Sequence, residues 1–351
     1  MILLLCTFLL AFSVSIALTP YVRKLAFKLG AVACENHRTI HKGNMPRLGG
    51  IAVFAAFLAG IVLLLAFSDE TFAALQREAI IFSIGGSMIL LLGIFDDIRG
   101  ASWYQKLAVQ FIAALLVIIS GYRITAIANP FGDPLSLGVF SYPFTLFWIV
   151  GITNAFNLID GLDGLAAGIS LGAACVMLFI SLWFGNLGSA FPAAILAGAI
   201  GGFLIYNFNP AKIFLGDSGS LLIGFLLACF SINGTFRDSS GVAIYIPMVV
   251  LGVPILDTFL AMLRRFRKGV HFFHPDKEHI HHRLLQLGIS HRNAVLLLNA
   301  ISYSWGFVAV LIYIANDQYS LLLIVPLLGM AVFGLRKLGF TKYFMLHGSN
   351  R

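Results

Sequence analysis

The chain has 351 residues, of which 59% are apolar and 11% charged, against about 25% charged in an ordinary soluble domain. With a mean hydropathy of +0.93, this composition excludes a soluble enzyme, a nucleic-acid binder, a disulfide-rich secreted module and a disordered chain. The net charge of +8 then has a plain cause, because cytoplasmic loops of membrane proteins collect Lys and Arg.

A bilayer-spanning helix takes about 20 mainly apolar residues. Eleven segments qualify, at about 2–22, 49–67, 79–95, 107–120, 140–158, 165–184, 191–207, 218–232, 242–263, 294–315 and 319–335. The first has a rival reading as a cleaved signal peptide, with Ser15-Ile16-Ala17 as the cleavage site. No positive charge precedes its apolar run, however, and Arg23 and Lys24 follow it, which favours an uncleaved helix. If the N-terminus faces outside and the chain alternates, every basic residue except Arg77, Arg123 and Arg237 falls on the inner side, as do all nine His. The expected fold is therefore an all-α polytopic membrane protein of about 11 transmembrane helices, with its N-terminus outside and C-terminus cytoplasmic. It forms a single integral-membrane domain over 1–351, with cytoplasmic active-site loops at about 23–48, 96–106, 158–164, 208–217 and 264–293. Cys6, Cys34, Cys175 and Cys229 show neither disulfide nor zinc spacing.

The polar motifs gather at the inner ends of the helices. In the first inner loop, Lys42 and Arg47, the latter within Pro46-Arg47-Leu48-Gly49-Gly50, read either as simple positive-inside charge or as phosphate contacts. Asp96 and Asp97 end the third segment, where acids meet the negative end of the helix dipole and need a cation. They are either solvated beside Arg99 or form a carboxylate pair for a divalent metal or substrate cation. Lys106 and Gln110 follow at the start of the next helix, where an ammonium can reach a phosphate. Asn154, Asn157 and Gly161 share one helical face, and Asp160 and Asp163 follow on a Gly-punctuated turn. Polar groups so deep in an apolar segment are costly unless functional or paired.

Asp217 and Ser218 open the eighth segment. Each could cap the helix, and an acid there could also hold Mg²⁺ against a phosphate. Asp257 lies inside the ninth segment, with Arg264 or Arg265 as its expected partner, and Pro247 and Pro254 should kink that helix. The longest inner loop carries His279, His281, His282 and Arg283. Phosphate contact, a zinc site and a solvated basic loop at an anionic leaflet all compete there. Zinc fits least, because no Cys is near and Lys277 and Arg283 would repel it.

Several acid clusters and a cationic loop at one membrane face suggest phosphoryl transfer to a lipid. An intramembrane aspartyl protease would need Gly where Phe214 stands. A CDP-alcohol phosphatidyltransferase would need Arg where Gly168 stands and further Asp residues between Asp163 and Asp217. A transporter would hold its acids at the midplane.

The motifs, in order, resemble the polyprenyl-phosphate N-acetylhexosamine-1-phosphate transferase family, of the undecaprenyl-phosphate GlcNAc-1-phosphate transferase type (glycosyltransferase family 4). The resemblance rests on Asp96-Asp97, Asn157-Leu-Ile-Asp160-Gly161-Leu-Asp163-Gly164, Phe214-Leu-Gly-Asp217-Ser-Gly-Ser220 and His279-Ile-His281-His282-Arg283. It implies transfer of a sugar-1-phosphate from a UDP-N-acetylhexosamine, best GlcNAc, to undecaprenyl phosphate with release of UMP, the first step of a cell-envelope polysaccharide. The phospho-MurNAc-pentapeptide transferases are the alternative within the family, although their three-His run is replaced here by His-x-His-His-Arg. A non-catalytic or transport role is the alternative outside it.

By the same resemblance Asp217 holds Mg²⁺, or Mn²⁺ in its place, and Asp96 and Asp97 sit beside the acceptor phosphate. Asp160, Asp163, Asn154 and Asn157 hold the nucleotide and metal shell. Lys42, Arg47, Lys106, His279, His281, His282 and Arg283 bind phosphate and sugar. The kinked ninth helix opens a groove for the prenyl tail. The enzyme would lie in a bacterial inner membrane, its active site on the cytoplasmic face, with the bilayer as solvent, no nucleic-acid partner, and a homodimer allowed.

Overall fold

A computed structural model describes residues 1–33, 44–67, 73–127, 135–183, 185–232, 245–270, 278–314 and 317–339. They form thirteen helices. The first eight are α1 (Ile2–Leu29), α2 (Gly49–Phe67), α3 (Ala73–Arg99), α4 (Trp103–Ile119), α5 (Ser141–Ile159), α6 (Leu165–Trp183), α7 (Leu187–Asn207) and α8 (Gly216–Ile232). The rest are α9 (Tyr245–Val250), α10 (Gly252–Arg267), α11 (Ile280–Gln286), α12 (His291–Ile314) and α13 (Asp317–Lys337). Two short antiparallel ribbons complete the described structure, β1 (Val32–Ala33) with β2 (Met45–Pro46), and β3 (Ala126–Ile127) with β4 (Leu135–Ser136).

Each of the eleven apolar segments overlaps a helix. Seven helical stretches are long and apolar enough to cross a membrane, in α1, α2, α3, α5, α6, α7 and α12, and three shorter apolar ones lie in α4, α8 and α13. The chain is a helical, multi-pass membrane protein. The ninth segment is not one kinked helix but two, divided at Leu251 (φ −93°, ψ 14°). Pro254 has no N–H to donate to Val250, which removes one ladder bond next to that break.

The helices pack around α8. Every residue of α8 except Asp217 is buried, as expected for a helix that is apolar on all sides, and α2, α3 and α5 lie against it. Two of those contacts are backbone to backbone. A Cβ on Gly93 of α3 would strike the Ser218 backbone, and one on Gly50 of α2 would strike Ser218 and Gly219. Only residues without a side chain let two helices come so close to one helix terminus. The chain before α2 is bonded to the chain before α8: Phe214 N donates to Pro46 O (2.8 Å), Gly49 N to Phe214 O (3.1 Å) and Gly50 N to Leu215 O (3.2 Å). These bonds fix the N-terminus of α8 at one end of the bundle, beside the C-termini of α3 and α5.

Candidate active site

The site is built around the first turn of α8. Its free N–H groups would be orphaned in the interior, and α3 satisfies two of them. The Asp97 carboxylate accepts from Asp217 N on Oδ1 and from Ser218 N on Oδ2, each at 3.0 Å. Both oxygens of this buried acid are thus committed to α8. Gly216 has φ +72°, and a Cβ there would lie 2.5 Å from Asp97 Oδ2, so glycine is required for both the backbone turn and the cap.

Asp96 points the other way. Its Oδ1 accepts from Ala101 N at 2.5 Å, closing the turn after α3, and Oδ2 pairs with the Lys106 ammonium. Lys106 lies on the first turn of α4, which a Ser102–Gln105 capping box sets in place. The same ammonium reaches Asp217 Oδ2 at 2.5 Å. Lys106 therefore bridges two carboxylates from α3 and α8, and all three groups are partly buried. Its ammonium neutralises only one of the two charges.

From α5, Asn157 donates to Ser220 Oγ (3.0 Å) and lies beside the Asp217 carboxylate. Asn154 does not reach this group. It exchanges amide hydrogen bonds with Gln110 of α4, at 2.7 Å from Asn154 Nδ2 and 3.5 Å from Gln110 Nε2, and so joins two apolar helices. Asp160 follows as the C-cap of α5. With Arg47, Gly161, Asn207, Gly216 and Asp217 it lines an open cavity of about 600 Å³. Burial, then the Asp217 and Asp97 carboxylates, push the Asp160 carboxyl well above the usual carboxylate range, and the Arg47 guanidinium opposes them.

Asp163 lines the same cavity and also acts as a latch. Its Oδ2 accepts from Ala211 N (3.1 Å) and Asn209 Nδ2 (3.3 Å), and its own N–H donates to His291 Nε2 (3.0 Å). It ties the α5–α6 turn to the α7–α8 linker and to the start of α12, forming one wall of the cavity.

The His motif lies partly on a short helix rather than in an open loop. His279 Nδ1 and Asp257 Oδ2 are 2.8 Å apart, and Ile280 N donates to Asp257 Oδ1 at 2.8 Å. Asp257 is thus paired with His279 and the first turn of α11, in place of the expected Arg264 or Arg265. An acid inside an apolar segment finds its partner on whichever element packs there, and here that is α11. The His281 ring stacks on His279 (5.7 Å, 5°) and lies 4.2 Å from His282. It fills the space that a Cβ on Gly161 would occupy. Burial, reinforced by His282, lowers its pKa to about 3, so it is neutral at physiological pH. Arg283 is held by Glu278 (2.5 Å), which also holds Lys268 (2.9 Å). Lys42 lies outside the described residues.

The structure therefore brings Asp96, Asp97, Lys106, Asn157 and Asp217 into one cluster, sets Arg47 and Asp160 around the adjoining cavity, and adds His281 at Gly161. Asp163 lines that cavity while bonding the α7–α8 linker, and Asn154 pairs with Gln110. His291, which accepts from Asp163 N, is a contributor that no motif marked, whereas Gln110 and Ser220 were singled out in the sequence without their partners.

Mg²⁺ takes one or two carboxylates and completes its shell with water and substrate phosphates. Asp96 and Asp217 are two hard oxygen donors already sharing a cationic group. Among the described residues no three His, Cys, Asp or Glu side chains converge as a metal cage. The residues therefore fit an ion that phosphates complete.

The profile of the family described as "Glycosyl transferase family 4" matches residues 79–235, a span that includes Asp96, Asp97 and Asp217. A probable undecaprenyl-phosphate N-acetylglucosaminyl 1-phosphate transferase of Bacillus subtilis is 36% identical over 92% of this chain and 89% of its own. A decaprenyl-phosphate N-acetylglucosaminephosphotransferase of Mycolicibacterium smegmatis is 38% identical over 83% of this chain and 77% of its own. An undecaprenyl-phosphate alpha-N-acetylglucosaminyl 1-phosphate transferase of Yersinia pestis is 30% identical over 82% and 78%. Similarity of that extent, carried along nearly the whole chain, makes it a member of glycosyl transferase family 4, the polyprenyl-phosphate N-acetylhexosamine-1-phosphate transferases.

Proposed function

We propose that the chain transfers GlcNAc-1-phosphate from UDP-GlcNAc to undecaprenyl phosphate and releases UMP. The observation that carries this reading is Lys106 bridging Asp96 and Asp217 at a helix N-terminus, beside a cavity that also presents Arg47 and Asp160. An acceptor phosphate oxygen attacks the sugar-bearing phosphorus of the diphosphate. The bond from that phosphorus to the bridging oxygen breaks, and UMP leaves with the oxygen. Such chemistry needs positioning and charge neutralisation more than covalent help.

Bound at Asp217 and Asp96, Mg²⁺ would neutralise charge on the diphosphate. Lys106 and Arg47 bind phosphate oxygens. Asp97 holds α8 and therefore Asp217; it is a positioning residue. A base is not required, because a phosphomonoester has a second pKa of about 6 and arrives largely ionised. Neutral His281 stands at Gly161 as a hydrogen-bonding group for sugar or phosphate. The prenyl chain lies in the apolar groove of about 980 Å³ between α10, α12 and α13, which Val253, Ile280, Leu298 and Leu327 help to line. Ile280 connects that groove to the His helix.

In the same reading the chain crosses a bacterial inner membrane eleven times, with the acid site cytoplasmic, a topology supported by the charge bias of the loops. Purified chain given UDP-GlcNAc, undecaprenyl phosphate and Mg²⁺ should release UMP. No release, or release only from UDP-MurNAc-pentapeptide, overturns the assignment. In a chain freed of native Cys, single replacements Asp238→Cys and Lys268→Cys should label from outside and inside respectively, and the reverse pattern overturns the topology.

A further inference from the structure

A second cavity, of about 850 Å³, opens between the ends of α1 and α7. Arg23, Lys24 and Lys212 line it with Phe27, Tyr206 and Ile213, and among the described residues no acidic side chain lines it. The Arg23 guanidinium lies 5.9 Å from the Phe27 ring centroid, and the Lys212 ammonium 5.9 Å from that of Tyr206. Among the described residues none of the three cations is held by an ion pair. Simple positive-inside charge needs no convergence. Here a helix near the N-terminus and the α7–α8 linker bring three exposed cations to one concavity, where they repel one another unless an anion is present.

The surroundings indicate which anion. On other faces of the same helix ends, Tyr21 (68% exposed), Leu25 (40%) and Ile205 (57%) present apolar surface outward. Arg23, Lys24 and Lys212 each follow the apolar run of a candidate membrane span, the position at which a chain reaches lipid headgroups. A free anion has no use for that apolar flank, whereas an anion carrying hydrocarbon chains does. The linker behind the cavity is fixed to the helix end, with Lys212 N donating to Tyr206 O (2.8 Å) and Asn207 Nδ2 to Ile213 O (3.0 Å). Asn207 also lines the acid cavity, so the two cavities stand on opposite sides of one short linker and open at the same end of the bundle.

We propose that this cavity binds the phosphate headgroup of an anionic phospholipid of the surrounding bilayer, with the acyl chains along the apolar flank of α1. Basic pockets between transmembrane helices are suited to such headgroups, and the Arg fork adds bidentate phosphate contact.

The test is native mass spectrometry of the full chain in detergent, titrated with phosphatidylglycerol or with phosphatidylcholine. The wild type should retain phosphatidylglycerol in preference to phosphatidylcholine. Arg23→Gln/Lys24→Gln/Lys212→Gln should weaken phosphatidylglycerol retention on the order of 100-fold, and Lys212→Gln alone roughly five-fold. The control Arg267→Gln/Arg336→Gln/Lys337→Gln removes the same charge from α10 and α13 and should retain the lipid as the wild type does. Equal loss in the control, unchanged retention in Lys212→Gln, or equal retention of phosphatidylcholine overturns the proposal. So does displacement by millimolar inorganic phosphate, which would mark a free-phosphate site, or retention of undecaprenyl phosphate with phosphatidylglycerol excluded.

Discussion

Replacing Asp97 by Asn tests whether this acid positions α8 or accepts a proton. The carboxylate takes two backbone N–H bonds, each of 3.0 Å, one on each oxygen. Asn offers a single carbonyl oxygen, so either Asp217 N–H or Ser218 N–H must face an amide NH₂. A buried donor left without an acceptor costs about 1–3 kcal/mol. Removing a negative charge from a helix N-terminus costs about 0.3–2 kcal/mol more. A combined loss of about 3 kcal/mol, expressed as displacement of the first turn that carries Asp217, corresponds to roughly two decades in rate. The assay is UMP release by Asp97→Asn across a pH series, beside thermal unfolding of the same sample. The expected result is a lower unfolding temperature and residual turnover with an unshifted pH optimum. Turnover that rises about tenfold per pH unit would show that a proton acceptor has been lost. Together with an unchanged unfolding temperature, that result would refute the positioning role.

Asp217→Asn removes one of the two carboxylates sharing Lys106 and should abolish cation-dependent UMP release, with loss of bound Mn²⁺ signal in electron paramagnetic resonance; full activity and undiminished Mn²⁺ would refute the assignment. Gly93→Ala drives a Cβ into the Ser218 backbone and should destabilise the chain by about 1–3 kcal/mol or more, seen as a lower unfolding temperature in detergent. Asp257→Ala strands the His279 imidazole and Ile280 N–H, each worth about 1–3 kcal/mol if left unsatisfied; a raised KM for the sugar nucleotide with intact cation dependence is expected. His281 has a pKa of about 3 in the folded chain against an ordinary 6.5. Below 6.5 the unfolded chain binds a proton that the folded one refuses, so this residue lowers stability as pH falls from 6.5 towards 3 and has no effect above. His281→Gln should flatten that part of a stability–pH curve.

The helices were legible because hydrocarbon thickness demands long apolar runs, and each run overlaps a helix. The break at Leu251 was legible only as a kink, since two prolines announce a fault in the ladder but not whether the axis bends or stops. At the site, residue types were legible and pairings were not. Lys106 and Asp217 are 111 positions apart, and no local pattern links them. Asp160 and Asp163 looked equivalent on their turn, and both line the cavity, yet only Asp163 bonds the backbone at Ala211. Spacing of three along a Gly-punctuated turn does not fix direction. Asp257 was visible as an acid in an apolar segment, but its partner depended on where α11 docks.

The Asp97 cap also has a consequence for synthesis of the chain. The carboxylate and the two N–H groups it accepts are separated by 120 and 121 positions. At about 5–20 residues per second, α3 is made roughly 6–24 s before the α8 turn that completes it. For that interval Asp97 belongs to a helix already offered to the membrane, its charge without the donors that later hold it. The small surfaces at Gly50 and Gly93 form a socket that stands open for the same time. The central helix of the finished bundle is thus a late arrival, and Asp217 takes its place beside Asp96 and Lys106 only when that insertion is complete.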